Sequence, residues 1–555
     1  MMKRSASLFA AAVLSCVAGW SVHADEIDLS SAKIVRARKE NPQQKLAADE
    51  LEKHLRIVCG WHDGGAEGGF TFVFAKPKGV ASEPYTAHAK REGSTIYFWG
   101  DDNGTKKIPY YGSAFAVYGF FETVLGVKWV SAGDDGIVFT PRGRVELPPG
   151  WSYSYRCPAK IASIRRADKE WARRLRYATL KPFRYGHAFR DWQDRYKKDH
   201  PEYLGLAPDG MRGVKPAWKE LVKLCLSNHD VPEVIVSNWV ARGMSRYRYL
   251  NICPNDGSPG YCVCPGCLAL DADRPGEPFL HHKTDRYLNF WNRVVARARE
   301  VRPDVMAITY IYSFYRLGPR REKIAFPDNM LFGMVPGMND DYQADFATFR
   351  AAGLKNFFFR PNYLAYHGRL PRGLERYIYD TFHFYQREGS IGYDYDGCPS
   401  PAMSLEYYVT FRQTAFPDLT FDAIIDEWCS QFGDAASAAK SYYERIRSRA
   451  EPIRARIAAR MNGARESVLD DSELSGTVVA YHSVEALTED LAVLERADVT
   501  ALAPVERRRF DALKDKARLY LAIFPEEVEK TRESVRRGRK WKEECRSFGP
   551  TKGFR

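Results

Sequence analysis

Residues 248–256 read RYLNICPND: a short apolar run, then Pro254, then an Asn-Asp pair that opens a turn. The run is too short for a helix and is closed by turn residues. It predicts a buried strand that delivers polar side chains at its C-terminal end. Seven other runs repeat the plan: ASIRRA (162–167), PFRYGHAF (182–189), VKLCLSN (222–228), AITYIYSF (307–314), MLFGMVPG (330–337), NFFFRPN (356–362) and SIGYDYDG (390–397). Stretches of helical periodicity, such as HKTDRYLNFWNRVVARAREV (282–301), separate most of them. Eight strands in a β–α rhythm place residues 151–417 in the α/β class and predict a (β/α)8 TIM-like barrel.

The flanks have different patterns. Upstream, LAADELEKHLRIVCG (46–60) spaces its apolar residues as a helix and stops at Gly60, and TFVFAKP (71–77) and TIYFWG (95–100) are strand-like. YGSAFAVYGFFETVLGVKWV (111–130) reads as a helix, a glycine break and a strand. Residues 25–150 are thus expected to form a small α/β accessory domain, closed off by the proline-rich 147–158 segment. Downstream, residues 418–555 are rich in Ala, Glu, Arg and Leu with few strand signals, and predict an α-helical C-terminal region.

The chain begins with Lys3 and Arg4, an apolar segment from Leu8 to Trp20, and Val22-His23-Ala24. This is the layout of a signal peptide over residues 1–24, implying a secreted or periplasmic protein. Lipid attachment at Cys16 is the weaker alternative, because Val13-Leu14-Ser15 departs from a lipobox. No second apolar run is long enough for a transmembrane segment. A formal charge of +13 is modest for 555 residues, and no nucleic-acid-binding motif accompanies it, so no nucleic-acid partner is expected. The basic run at 536–540 reads as a solvated helix face. Oligomeric state is not legible.

In a (β/α)8 barrel, chemistry sits at the C-terminal strand ends. Those ends carry His187, Asn228, Asn255, Asp256, Tyr312, Arg360, Asn362, Asp394 and Asp396. Aromatic faces and amide donors suit a sugar ring, which predicts a glycan or oligosaccharide partner. Glycoside cleavage needs paired carboxylates, one to protonate the departing oxygen and one to act from across the bond. Asp256 is the expected general acid, on a rigid and partly desolvated turn. Asp396 is its expected partner and Asp394 the reserve. His187, Asn228, Asn255, Tyr312, Arg360 and Asn362 are expected to bind substrate. No cofactor is called for.

The segment 250–267, LNICPNDGSPGYCVCPGC, adds Cys253, Cys262, Cys264 and Cys267. Four thiols have the count for a tetrahedral zinc site, whereas export favours disulfides. Either way the cluster is read as structural, bracing the loop that holds Asp256. Four thiolates leave no open position for a catalytic metal. A zinc-dependent hydrolase is further disfavoured by the lack of a His-x-x-x-His arrangement.

Several motifs, in order, resemble the domain-of-unknown-function 4838 family, which is related to glycoside hydrolase family 163. They are AADELEKHLRIVCG, YGSAFAVYGFFETVLGVKWV, YGHAFRDW with HPEYLGLAPDG (200–210), KLCLSN with CPNDGSPGYCVCPGC, and IGYDYDG with LEYYVTFRQTAFPDLTFDAIIDEWCSQFGDAA. The resemblance implies an accessory α/β domain before a barrel, and a β-N-acetylglucosaminidase-like activity on N-glycans. The family pattern has a Glu near the end of the last strand, where this chain has Asp394 and Asp396. Asp is one methylene shorter, so the alternative is a catalytically degenerate carbohydrate-binding relative.

Overall fold

The computed structural model describes residues 24–547 apart from 64–68, 81–82, 104–109, 178–179, 258–259, 273–282, 338–340, 366–367, 399–403 and 464–477. The signal-peptide reading, with Cys16, falls outside the described residues. No helix among them is long and apolar enough to cross a membrane. The chain divides into two compact units.

The smaller unit comprises β1 (Lys33–Val35), α1 (Pro42–Cys59), β2 (Thr71–Val73), β3 (Thr86–Glu92), β4 (Thr95–Gly100), α2 (Gly112–Leu125) and β5 (Ser152–Arg156). The strands form one mixed sheet in the order β1-β2-β4-β3-β5. Helix α1 starts on a capping box, in which Asn41 accepts the Gln43 and Gln44 amides and Gln44 reaches back to the Asn41 N–H. It ends at Gly60, whose φ of 64° is left-handed. Helix α2 is apolar nearly all round because both its sides are covered. Phe120 meets Phe72 and Phe98 of the sheet at 5.4 and 5.9 Å, while Phe121 meets His54 of α1 at 5.3 Å. The segment 147–158, read as a boundary from its prolines, contains the edge strand β5, pairing Tyr155 with Ala87 of β3. Phe139–Arg156 groups with this unit, and Lys128–Val138 with the larger one.

The larger unit is built on six strands, β6 (Ile161–Ile164), β7 (Tyr249–Asn251), β8 (Met306–Ile311), β9 (Met330–Met334), β10 (Asn356–Phe359) and β11 (Gly392–Tyr395). All pairs are parallel, in the order β6-β11-β10-β9-β8-β7. The first strand lies beside the last, as barrel closure requires. Helices α3 (Asp230–Ala241), α4 (Thr284–Val301), α5 (Tyr342–Ala351) and α6 (Glu375–Arg387) alternate with the strands. Between β8 and β9 there are only single 3-10 turns, at Ser313–Tyr315 and Pro327–Asn329.

Six of the eight expected strands form; the second and third do not. In 182–189, Gly186 takes a φ of +124° and breaks the extended run. Phe183 still fills the strand position, packed in the core with Ile161, Ile308, Leu331 and Phe358. In 222–228 the backbone pairs locally instead, through an antiparallel bridge from Leu224 to Leu204 and a bond from the Gly205 N–H to the Lys223 carbonyl. The result is an open parallel sheet with barrel order and an irregular sector between β6 and β7.

After β11 come the helices α7 (Ser404–Ala415), within the span read as the barrel, then α8 (Phe421–Cys429), α9 (Ala436–Gly463), α10 (Val484–Glu495) and α11 (Pro504–Ser547). Arg536 and Arg537 of the basic run are exposed on α11.

Candidate active site

A strand sends residues i and i+2 to the same side. Three strand ends of the larger unit use this period, Tyr310 and Tyr312, Arg360 and Asn362, and Asp394 and Asp396, and the irregular run 182–189 adds Tyr185 and His187. Their side chains form two linked groups.

The first group surrounds Asp394, which is fully buried on β11 opposite Ser163 of β6. Its Oδ2 lies 3.1 Å from Arg165 Nη2 and 3.2 Å from Lys181 Nζ, and accepts a hydrogen bond from the Tyr185 hydroxyl. Burial by itself would raise the Asp394 pKa. Lys181, Arg165, the Tyr185 hydrogen bond and Arg360 outweigh it and hold the carboxyl below the usual range. Burial also lowers the Lys181 pKa, against the pull of Asp394. Asp396, more open, lies 3.6 Å from Arg165 Nη1 and 3.3 Å from Arg360 Nη2. Arg360 also donates to Asn362 Oδ1 and lays its guanidinium over the Tyr310 ring, 5.1 Å from the centroid.

The second group surrounds Asp256. Tyr312 donates to its Oδ1 at 3.3 Å, and His187 Nε2 lies 3.9 Å from its Oδ2. His187 Nδ1 is 2.8 Å from the Pro254 carbonyl, which only accepts, so Nδ1 carries the proton. Burial lowers the His187 pKa and favours neutral imidazole. Nε2 and Asp256 Oδ2 are then two acceptors facing one gap, an arrangement suited to a donor hydroxyl between them. The buried Tyr310 ring joins the groups: it is edge-on to Tyr185, His187 and Tyr312, at 5.4, 6.0 and 6.1 Å.

The expected site residues are thus divided. His187, Asp256 and Tyr312 come together, as do Arg360, Asn362, Asp394 and Asp396. Asn255 turns into the backbone instead. It is buried, accepts the Phe189 amide at 3.0 Å and donates to the Val222 carbonyl at 2.8 Å. Asn228 accepts the Asp230 amide at the start of α3 and donates to the Glu202 carbonyl, with no contact to His187. The Asp256 side chain is 52% exposed, so the free protein lacks the partial desolvation expected of it. Sequence reasoning passed over Arg165, Lys181, Tyr185 and Tyr310. Tyr185 and Tyr310 were legible two residues before His187 and Tyr312. Lys181 had no local signal.

The cysteine cluster also differs from the expected set. Cys253 lies apart, its thiol 3.6 Å from the Ile308 carbonyl. Its place beside Cys262, Cys264 and Cys267 is taken by Cys225. The sulfurs are unbridged.

The domain of unknown function DUF4838 matches residues 151–444. The motifs at 46–60 and 111–130 lie outside that match. No curated protein matches the sequence. Among solved structures the chain is similar to a Clostridium perfringens family 89 glycoside hydrolase in complex with GlcNAc-α-1,4-galactose. The two are 9% identical over 89% of this chain and 64% of that one, with a TM-score of 0.45. A family GH115 4-O-methyl-α-glucuronidase with specificity for decorated arabinogalactans is 12% identical over 89% of this chain and 73% of that one, with a TM-score of 0.43. Streptomyces plicatus N-acetyl-β-hexosaminidase is 12% identical over 76% and 94%, with a TM-score of 0.37.

Proposed function

The chain belongs to the DUF4838 family, and from that premise we propose that it is a glycoside hydrolase acting at the strand ends of the parallel sheet. One observation carries the reading: Asp256, with Tyr312 and the neutral His187, and Asp396, with Arg360, come from separate segments and are linked through the Tyr310 ring. The tyrosines offer faces for a sugar ring, and the carboxylates supply an acid and its partner.

Asp256 donates its proton to the departing glycosidic oxygen. Bound sugar covers its exposed face. Tyr312 and His187 fix its direction. Asp396 acts from the other side, as nucleophile or as the group that orients an N-acetyl substituent. Asp394 is a positioning residue, whose negative charge holds Arg165 and Lys181 at the base of the mouth. The C–O bond breaks, the hydroxide part of water joins the anomeric carbon, and the remaining proton returns to the carboxylates. The finer reading is a β-N-acetylglucosaminidase-like activity on N-glycans, in a secreted or periplasmic protein.

The test is digestion of a glycan panel containing N-glycans, read by mass spectrometry, with wild type, Asp256→Asn and Asp396→Asn. Sugar release that both substitutions abolish supports the proposal. The exposure of Asp256 favours a second reading, a carbohydrate-binding relative without turnover. Glycan binding with no product from any chain would select it and overturn the first.

A further inference from the structure

We infer that Cys225, Cys262, Cys264 and Cys267 form a tetrahedral site for a structural zinc ion, which pins the irregular sector where strands two and three of a barrel would stand. The Cys225 sulfur lies 3.7 Å from those of Cys262 and Cys264 and 3.9 Å from that of Cys267. All four lie within 4.8 Å of one another. A tetrahedron with Zn–S bonds of about 2.3 Å has S···S edges of about 3.8 Å. A disulfide needs sulfurs about 2.05 Å apart. The cluster therefore has the spacing of four ligands around one centre, not of two bonded pairs.

The surroundings suit thiolates. The Leu206 N–H points at the Cys262 sulfur at 3.3 Å, the Ser227 N–H at that of Cys267 at 3.3 Å, and the Cys267 N–H at that of Cys264 at 3.4 Å. The last bond closes the Cys264-Pro265-Gly266-Cys267 turn around one side of the site. A Cβ at Gly266 would come within 2.8 Å of Ser227 Oγ, so a larger residue there would turn Ser227 aside. Zn²⁺ with four thiolates carries two negative charges. Arg212 lies within electrostatic reach of Cys225, and Arg286, which donates to the Cys262 carbonyl at 2.7 Å and is paired with Asp271, stands beside the site. On binding, the four thiols release their protons to solvent and the oxidation states do not change. All four positions are filled by protein, so the ion is structural.

The site also explains how this sector stays in place without a strand ladder. Two residues before Cys225, Lys223 donates to the Asp256 carbonyl at 2.6 Å. Val222 accepts from Asn255. The metal therefore fixes the segment that carries the Asp256 turn, from outside the catalytic groups.

The test uses the full chain, purified without a metal-binding tag. Metal content is measured by plasma mass spectrometry and bridges by non-reducing peptide mapping. About one zinc per chain and no disulfide among the four cysteines are expected. Cys225→Ser should lower zinc to less than about a tenth of an equivalent, whereas Cys253→Ser should leave it unchanged. Should Cys225→Ser fail to fold, cobalt(II) replacement in the wild type gives the same answer, through the visible spectrum of a tetrahedral tetrathiolate. Two mapped disulfides with no metal, or zinc lost with Cys253 and kept without Cys225, would overturn the inference. None of these readouts depends on turnover.

Discussion

Arg165 Nη2 lies 3.1 Å from Asp394 Oδ2, joining the end of the first strand of the parallel sheet to the last. The aspartate is fully buried and the arginine about one third exposed. This pair, with Lys181 and Tyr185, closes the base of the mouth.

Asp394→Asn is expected to destabilise the protein by about 3 kcal/mol, because it leaves the largely buried Lys181 without its anion and Arg165 with Asp396 alone. The Asp394 carboxyl is held below its ordinary pKa. Its contribution is therefore fully present above about pH 4 and lost as pH falls through the folded-state value. Urea midpoints measured from pH 7 to pH 3 should show a shallower acid limb in the variant. Equal limbs would remove the charge role assigned to Asp394.

Asp256→Asn should leave the urea midpoint within about 0.5 kcal/mol of wild type, since the side chain is half exposed. Turnover on a cleaved glycan should fall by about 10²–10⁴-fold. Near-normal turnover would remove Asp256 as the acid.

Asn255→Ala strands the Phe189 N–H and the Val222 carbonyl, both now bonded to the Asn255 side chain. A loss of about 2–4 kcal/mol in folding free energy is expected, from two unsatisfied backbone groups. Glycan affinity of the folded variant, measured by calorimetry, should stay close to wild type. A selective loss of affinity would return Asn255 to the binding surface.

Glu375, at the start of α6, is raised to about 7 by burial and by the negative charge of Glu406. The folded protein therefore holds a proton there that the unfolded chain loses near pH 4.5, and stability declines between about pH 4.5 and 7. Glu375→Gln should stabilise the protein at pH 8 by about 1–3 kcal/mol, and the gain should vanish below about pH 4.5. A denaturation series across that range checks both the sign and the window.

Local sequence carried much of this fold. SIGYDYDG and AITYIYSF are strands because they are short apolar runs stopped by turn residues, and their period of two put Asp394 beside Asp396 and Tyr310 beside Tyr312. PFRYGHAF has the same look, but the left-handed φ at Gly186 removes it from the ladder while Phe183 keeps its place in the core. VKLCLSN failed for another reason: its backbone groups are bonded to residues 203–205 instead of to a strand of the sheet. Asn255 and Asn228 sit at strand or run ends like the other polar residues. Periodicity does not tell an amide that faces ligand from one that satisfies a neighbouring backbone.

The sequence by itself determined the strand and helix periods, the parallel order that a β–α rhythm imposes, and the side of each strand that carries polar groups. These follow from short-range sterics and from the alternation of apolar residues. Tertiary structure alone decided the neighbours. Asp394 meets Arg165, Lys181 and Tyr185 across 229, 213 and 209 residues of chain, because β6, the first strand of the larger unit's sheet, pairs with β11, its last in sequence. Cys225 displaces Cys253 from the cysteine group from 37 residues before Cys262. Spacing along the chain ranks ligands by sequence distance, whereas a tetrahedron selects them by where their sulfurs converge in space.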